Sequence, residues 1–295
     1  MNFDPRTDLA YENVSVGQKI EGTDLSTRQI GGLRILRLRI QTEEAAKQLG
    51  KPLGTYVTFE CERLHRLEED TVRLLCGLLA GELRGMAERL SGKPVNGDFG
   101  IFVAGLGNAE LTADVIGPKT VGRLTATRHL REHEEEIYRS IGCASLSTLA
   151  PGVLGQTGIE TVELLRGAVE HVKPDAIIVV DALAARSCSR LASTVQISDA
   201  GIQPGAGVGN HRAAITMKSV GVPVIVVGVP TVVNSATLVY DALQQAGIRD
   251  VKPSLERILE NRRSFFVSPK DSDLITEHAA VLLSRAIEEA FVHPQ

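Results

Sequence analysis

Three short apolar runs constrain this chain more than any other feature: Ile101 to Ala104, Ala176 to Val180 and Val224 to Val227. Each is strand-length, and helical patterns lie between or after them, near 118–130, 158–172, 211–219 and 234–245. Uninterrupted apolar runs of this size read as strands covered on both faces. Their alternation with helices predicts an α/β fold with a mostly parallel sheet and helices on both faces. Before them, Arg34 to Ile40 largely alternates polar with apolar, and Thr55 to Glu60 reads as its partner, adding an N-terminal antiparallel strand pair. Val72, Leu75, Leu79, Leu83, Met86 and Leu90 recur at helical spacing and predict a long amphipathic helix over about 66–91, stopped by Ser91-Gly92-Lys93-Pro94. Gly77, Gly81 and Gly85 within it weaken the local preference or mark close packing. Ile275, Ala279, Leu282, Ala286 and Ala290 predict a C-terminal amphipathic helix, whereas residues 1–32 read as a polar, turn-rich start, flexible or loosely docked.

The chain of 295 residues shows no repeat, low-complexity tract or linker, so a single domain over 1–295 is expected. Lysine and arginine total 32 against 36 acids, a net charge of -4, which gives no basic excess for a nucleic-acid partner. No apolar run reaches the roughly 18 residues that span a membrane, and no signal-like segment opens the chain. Cys61, Cys76, Cys143 and Cys188 form no C-x-x-C pair and read as reduced thiols. A cytoplasmic protein without membrane partner, metal or cofactor is expected.

Open α/β sheets bind ligands beyond the carboxyl ends of their strands, and three segments fall there. Gly105-Leu106-Gly107-Asn108 follows a strand and leads to Asp114; Asp181 follows Ile177 to Val180; Gly201 to Gly209 is a glycine-rich loop containing Gly205 and Gly207, with His211 beside it. The G-x-G start lacks the third glycine of a dinucleotide fingerprint, since Glu110 stands in its place. No Walker A, G-x-S-x-G or H-E-x-x-H motif occurs, and the acidic run around His133 reads as a solvated face. Asp114 and Asp181 each have a bland reading as a helix cap. Convergence on one crevice would instead push their pKa values apart, giving an acid and a base of the kind peptide hydrolysis needs. Ser187 and Cys188 have no histidine tied to them by sequence, and His129 reads equally as a helix-end residue. Arg186 reads as a clamp for an acidic substrate residue or as the partner of a structural carboxylate.

Several stretches resemble the germination protease family: Gly105 to Asn108 with Thr112-Ala113-Asp114, Thr127 to Leu130, Pro151-Gly152-Val153 and Thr157 to Thr161. Asp181 to Ser187, Gln196 to Asp199, Gly205 to Asn210 and Gly228 to Val233 extend the likeness over about 6–240, and it resumes near Ser268-Pro269-Lys270. The resemblance implies an endopeptidase that begins degradation of small acid-soluble spore proteins in the forespore and spore core. It also implies a homotetramer, a self-processing zymogen, a hydrogenase-maturation-peptidase-like fold, and Asp114 and Asp181 as the essential aspartates. Arg186, His211, Gly205 and Gly207 are then candidates for substrate binding. Thr7-Asp8-Leu9-Ala10-Tyr11-Glu12 resembles the family's cleavage motif, which makes 1–8 a candidate propeptide cut between Asp8 and Leu9; the alternative is a disordered end. The segment 246–267 is shorter than the resemblance implies. A metal-recognising maturation-type peptidase and a non-proteolytic binding domain are the competing readings.

Overall fold

The computed structural model describes residues 7–14, 20–208, 212–248, 253–261 and 265–293. β1 (Thr23–Ile30), β2 (Leu33–Ile40) and β3 (Gly54–Glu60) form an antiparallel meander, with α1 (Glu43–Leu49) between β2 and β3. α2 (Glu69–Ser91) leads to β4 (Gly100–Gly105), and α3 (Ile116–Val121), α4 (Arg128–His133) and α5 (Glu135–Ile141) lead on to β5 (Ser145–Leu149). α6 (Leu154–Thr157) and α7 (Thr161–Val172) precede β6 (Ala176–Ala185), which is followed by β7 (Thr194–Ser198). α8 (Met217–Val220), β8 (Val224–Asn234), α9 (Ser235–Gln245), α10 (Pro253–Asn261), β9 (Phe266–Val267) and α11 (Ser272–Phe291) complete the order.

One sheet runs β1-β2-β3-β7-β8-β6-β4-β5, with β9 paired to β8. Only β8/β6, β6/β4 and β4/β5 are parallel, and the other five pairings among the described residues are antiparallel. The sheet is therefore mixed, which corrects the expectation of a mostly parallel one. The three apolar runs do form its parallel centre, buried on both faces. The unread antiparallel strands β1 and β7 explain the difference, whereas β5, equally unread, is parallel to β4. β5 reads Ser-Leu-Ser-Thr-Leu and β7 reads Thr-Val-Gln-Ile-Ser, both too hydroxyl-rich to stand out as buried runs.

Helices cover both faces. α2 and α11 lie against one, where Leu75, Leu79, Leu83, Met86, Leu282 and Ile287 pack on Ile178, Val180 and Val227. Burying each such side chain contributes about 1.5–3 kcal/mol. α7 and α8 lie against the other face through Leu165, Val169 and Val220. The long helix spans 69–91 and stops at Gly92, which takes the left-handed conformation at φ 70°. Of its glycines, Gly77 faces Glu289 of α11, while Gly81 has open space beside it.

The N-terminal stretch departs from its expectation. Residues 23–30 are a full strand whose side chains are nearly all exposed, because β1 is the sheet edge; with no buried face, its sequence shows no apolar alternation. Leu9 and Ala10 are buried. The expected helix at 211–219 shrinks to α8, and that at 118–130 divides into α3 and α4 around a turn. Residues 249–252 and 262–264 of the condensed segment lie outside the described residues, and α10 occupies the middle.

Candidate active site

The chain leaves β4 toward the α2/α11 face and leaves β5 toward the α7 face. Loops that part in this way open a crevice above the carboxyl ends of the strands. A crevice of about 740 Å³ lies there, and Asp8, Asn108, Asp114, Asp181, Gly205 and Arg212 are among its lining residues. Asp114 and Asp181 thus share one crevice, although 66 residues of chain separate them.

Asp181 sits inside β6 opposite Gly228 of β8, at the point where β6 runs on past the end of β4. It is 6% exposed, and its Oδ1 accepts from the Ala182 N–H at 2.9 Å. Burial pushes its carboxyl well above the usual range, and the neighbouring charges of Asp114 and Asp8 push it further in the same direction. Asp114 ends a 3-10 turn (Thr112–Asp114) before α3. Its Oδ2 accepts from the Asn108 N–H at 2.7 Å; burial raises this carboxyl too, and that hydrogen bond opposes the rise.

The glycines of the first loop serve packing. A Cβ at Gly107, where φ is 114°, would strike the Asp114 carbonyl, and one at Gly117 would strike the Leu106 carbonyl. The loop after β4 is thereby pressed onto the start of α3, which brings Asp114 over the strand ends. Thr231 of β8 fastens it from the far side by donating to the Ala113 carbonyl at 2.6 Å.

Asp8 lines the same crevice, and residues 7–12 dock beside it. The Asp8 N–H donates to the Ala184 carbonyl at 2.8 Å, and the Ala184 N–H donates to an Asp8 carboxylate oxygen, also at 2.8 Å. The Gly207 N–H donates to that carboxylate as well, and a Cβ at Gly207 would collide with it. Burial raises the Asp8 carboxyl, and the charge of Lys51 opposes the rise. Leu9 is 1% exposed and packs with Leu183, Ala185, Leu191 and Val233. The Gln196 side chain holds the main chain on either side of Leu9: Nε2 donates to the Asp8 carbonyl at 3.2 Å, and Oε1 accepts from the Ala10 N–H at 2.9 Å. Gln196 and Asp181 both pair with Gly228, so they occupy one cross-strand row two strand spacings apart, about 10 Å.

The remaining expected residues are dispersed. The Arg186 guanidinium is paired with Asp241, with Nε and Nη2 each 3.0 Å from Oδ1. It is the Arg186 main-chain N–H that reaches the segment, donating to Glu12 at 2.7 Å beside Ser187 N–H at 3.0 Å. Gly205 lines the crevice, and His211 lies outside the described residues. Sequence reading missed Lys51 and Gln196 as members of the site, and it placed Glu12 in the cleavage motif without the main-chain donors that hold it. Gln196 left a trace as a polar residue flanked by Val195 and Ile197 in a buried strand; Lys51 left none. Among the described residues, no group of three or more His, Cys, Asp or Glu is placed to hold a metal ion.

A model of the germination protease family matches residues 6–246. The chain belongs to the germination protease family. Three germination proteases illustrate the likeness. That of Caldanaerobacter subterraneus subsp. tengcongensis is 38% identical over 309 aligned positions, covering 97% of this chain and 93% of the relative. That of Clostridium perfringens (strain ATCC 13124) is 40% identical, covering 82% of this chain and 74% of the relative. That of Geobacillus sp. (strain WCH70) is 38% identical, covering 82% and 67%. Membership in the germination protease family makes this chain a protease with a role in germination, acting on protein substrates. No helix among its described residues is long and apolar enough to cross a membrane.

Proposed function

We propose that this protein is an endopeptidase that initiates degradation of small acid-soluble spore proteins during germination, with Asp114 and Asp181 as its acid–base pair. The observation that carries the reading is the meeting of these two carboxylates in one crevice, each raised by burial and Asp181 raised further by Asp114. In this reading the more enclosed Asp181 keeps its proton while Asp114, supported by the Asn108 N–H, ionises first. Asp114 takes a proton from water as the water oxygen attacks the peptide carbon. Asp181 gives its proton to the leaving amine nitrogen as the C–N bond breaks, and proton exchange with solvent resets the pair. We place the fold with the hydrogenase-maturation peptidases, the chain as one peptidase domain working as a homotetramer, and the protein in the forespore and spore core.

Incubating the full chain with a small acid-soluble spore protein, with and without chelator, tests the assignment. Internal cleavage that survives the chelator is expected. A substrate of unchanged mass would defeat the peptidase reading, and loss of cleavage with chelator would favour a metal-recognising one.

A serine or cysteine mechanism has little support. The Ser187 hydroxyl is engaged with the Ser189 hydroxyl at 2.8 Å, with no base bonded to it among the described residues. Burial and the charge of Asp241 push the Cys188 thiol up, away from the thiolate a nucleophile needs. Ser187→Ala and Cys188→Ala should each retain cleavage within about threefold of wild type, against the 10²-fold or larger losses that follow removal of a catalytic group. A total loss in a folded Ser187→Ala chain would point to acyl-enzyme chemistry.

The zymogen reading extends from the docked segment. With Asp8 lining the crevice and the Asp8 carbonyl held by Gln196, the Asp8–Leu9 bond is the site of self-processing. Intact mass after incubation at mildly acidic pH should reveal a product beginning at Leu9, absent from Asp114→Asn. An active enzyme still beginning at Met1 would remove self-processing from the account.

A further inference from the structure

Residues 7–9 run beside the end of β6 before the chain turns into a 3-10 helix (Ala10–Asn13). β6 extends past the end of β4, and there the Asp8 N–H donates to the Ala184 carbonyl while the Ala184 N–H donates to the Asp8 carboxylate. A segment docked along a strand in this way obtains affinity from the main chain and selectivity from side-chain subsites. The segment fills three such subsites. Leu9 occupies the apolar one. Glu12 occupies a cradle made by the Arg186 and Ser187 N–H groups, which satisfy a carboxylate without any cationic side chain. Asp8 occupies the third, where a cation that bears less on Glu12 joins the main-chain donors.

That cation is Lys51. It follows Gly50, whose left-handed turn (φ 60°) ends α1 and directs the chain back over the sheet. Lys51 Nζ donates to the Thr7 carbonyl at 2.7 Å, so the ammonium is held at the residue preceding Asp8. Burial lowers the pKa of the ammonium, and the charge of Asp8 and, less strongly, that of Glu12 oppose the fall. Arg186 is committed to Asp241, and Arg34 and Arg190 lie against the Tyr11 ring. Gly207 closes the subsite: its N–H is a donor, and its missing side chain is the space that the carboxylate fills.

We infer that Lys51, with the Ala184 and Gly207 N–H groups, forms the subsite that reads an acidic residue immediately before the scissile bond, and that Lys51 is the specificity-determining residue. The inference rests on the peptidase reading and goes further, assigning the selection of the cleavage site to one side chain. Two main-chain N–H groups serve a neutral amide oxygen nearly as well as a carboxylate. An ammonium fixed at the preceding carbonyl favours the charged group through space, by roughly 10- to 100-fold away from bulk water. Removing Lys51 should therefore abolish most of the preference for acid over amide, beyond whatever loss of the Thr7 carbonyl contact both substrates share.

The test uses the full chain and two peptides built on Thr-Asp-Leu-Ala-Tyr-Glu, one carrying Asn in place of Asp. Wild type should cleave the Asp peptide with a kcat/KM about 10- to 100-fold above the Asn peptide, the difference residing in KM. In Lys51→Met the ratio should fall to about threefold or less, any loss of the contact to the Thr carbonyl being common to both peptides, and Lys51→Arg should restore most of the preference. An unchanged ratio in Lys51→Met overturns the inference, as does an equal loss on both peptides. Affinities of the same peptides for the Asp181→Asn chain, with and without Lys51→Met, separate this idea from the chemistry. There the preference for Asp should again depend on Lys51 even if cleavage works by another route. The resident segment competes with both peptides alike, so the ratio isolates the carboxylate. Absence of binding by either peptide would show that the groove takes no strand from outside, and would equally overturn the inference.

Discussion

Asp181→Asn is expected to lose cleavage by about 10²- to 10⁴-fold while unfolding at a higher temperature than wild type at neutral pH. The loss follows from removing the proton donor of an acid–base pair. The gain follows from burial: Asp181 is 6% exposed and stands near Asp114 and Asp8, so its ionised form is disfavoured in the folded chain. Asparagine keeps the shape and an oxygen for the Ala182 N–H without the charge. The direction with pH is fixed by the raised folded-state pKa. The native state binds this proton more tightly than the unfolded state, whose value is near 3.8. The associated stability is fully present below that value and is lost as pH rises through the folded value. The thermal advantage of Asp181→Asn should accordingly be largest at neutral pH and vanish on acidification toward about pH 4. Thermal unfolding followed by circular dichroism across this range, beside the cleavage rate, checks both halves. A variant that is both active and destabilised would contradict the account twice.

Leu9→Asp should release the N-terminal segment from the sheet while leaving the rest of the chain folded. Leu9 is 1% exposed in a pocket of Leu183, Ala185, Leu191 and Val233. Losing its burial costs about 1.5–3 kcal/mol, and an unpaired carboxylate in the same place costs more. Few main-chain and side-chain contacts hold residues 8–10, so an opposing term of this size exceeds what the segment can retain. The central strands do not depend on it, and the opening stays local. Hydrogen exchange should show slow exchange at the Asp8 and Ala10 amides in wild type, where they donate to the Ala184 carbonyl and to Gln196. In Leu9→Asp these amides should exchange at close to unfolded rates. Unchanged protection would show that the pocket does not hold the segment, and would weaken both the self-processing reading and the assignment of Lys51.

The contrast between legible and illegible parts follows from what burial does to sequence. Strands β4, β6 and β8 are covered on both faces, so Ile101 to Ala104, Ala176 to Val180 and Val224 to Val227 had to be apolar throughout and were readable. α2 and α11 each bury one stripe and kept helical spacing. β1 buries almost nothing and carried no pattern, while β7 carries Gln196 and flanking hydroxyls because its inner face meets the docked segment. Asp114 and Asp181 were legible as carboxylates following apolar runs, but Asp181 lies inside β6 and Asp114 in the turn before α3, and their sharing of a crevice is a tertiary fact that spacing does not contain. Arg186 was legible as a cation near the site, yet it is its main chain that meets Glu12, and main-chain donors leave no mark on residue type. Lys51 was illegible for a related reason. It lies 43 positions from Asp8 in an ordinary helix-to-strand turn, and only the docking of the N-terminus gives it a partner.

The central claim is that Asp114 and Asp181 act as one catalytic unit, and a double-variant cycle on single-turnover cleavage tests it most directly. Rates are compared for wild type, Asp114→Asn, Asp181→Asn and the chain carrying both changes, each shown to be folded. Members of a unit that share one proton transfer sequence are not additive, because removing either disables the other. The account predicts that each single variant loses about 10²-fold or more and that the double variant is no slower than the slower single one. A double loss equal to the product of the two single losses would show two independent contributors, and turnover near wild type in either folded single variant would contradict the claim outright.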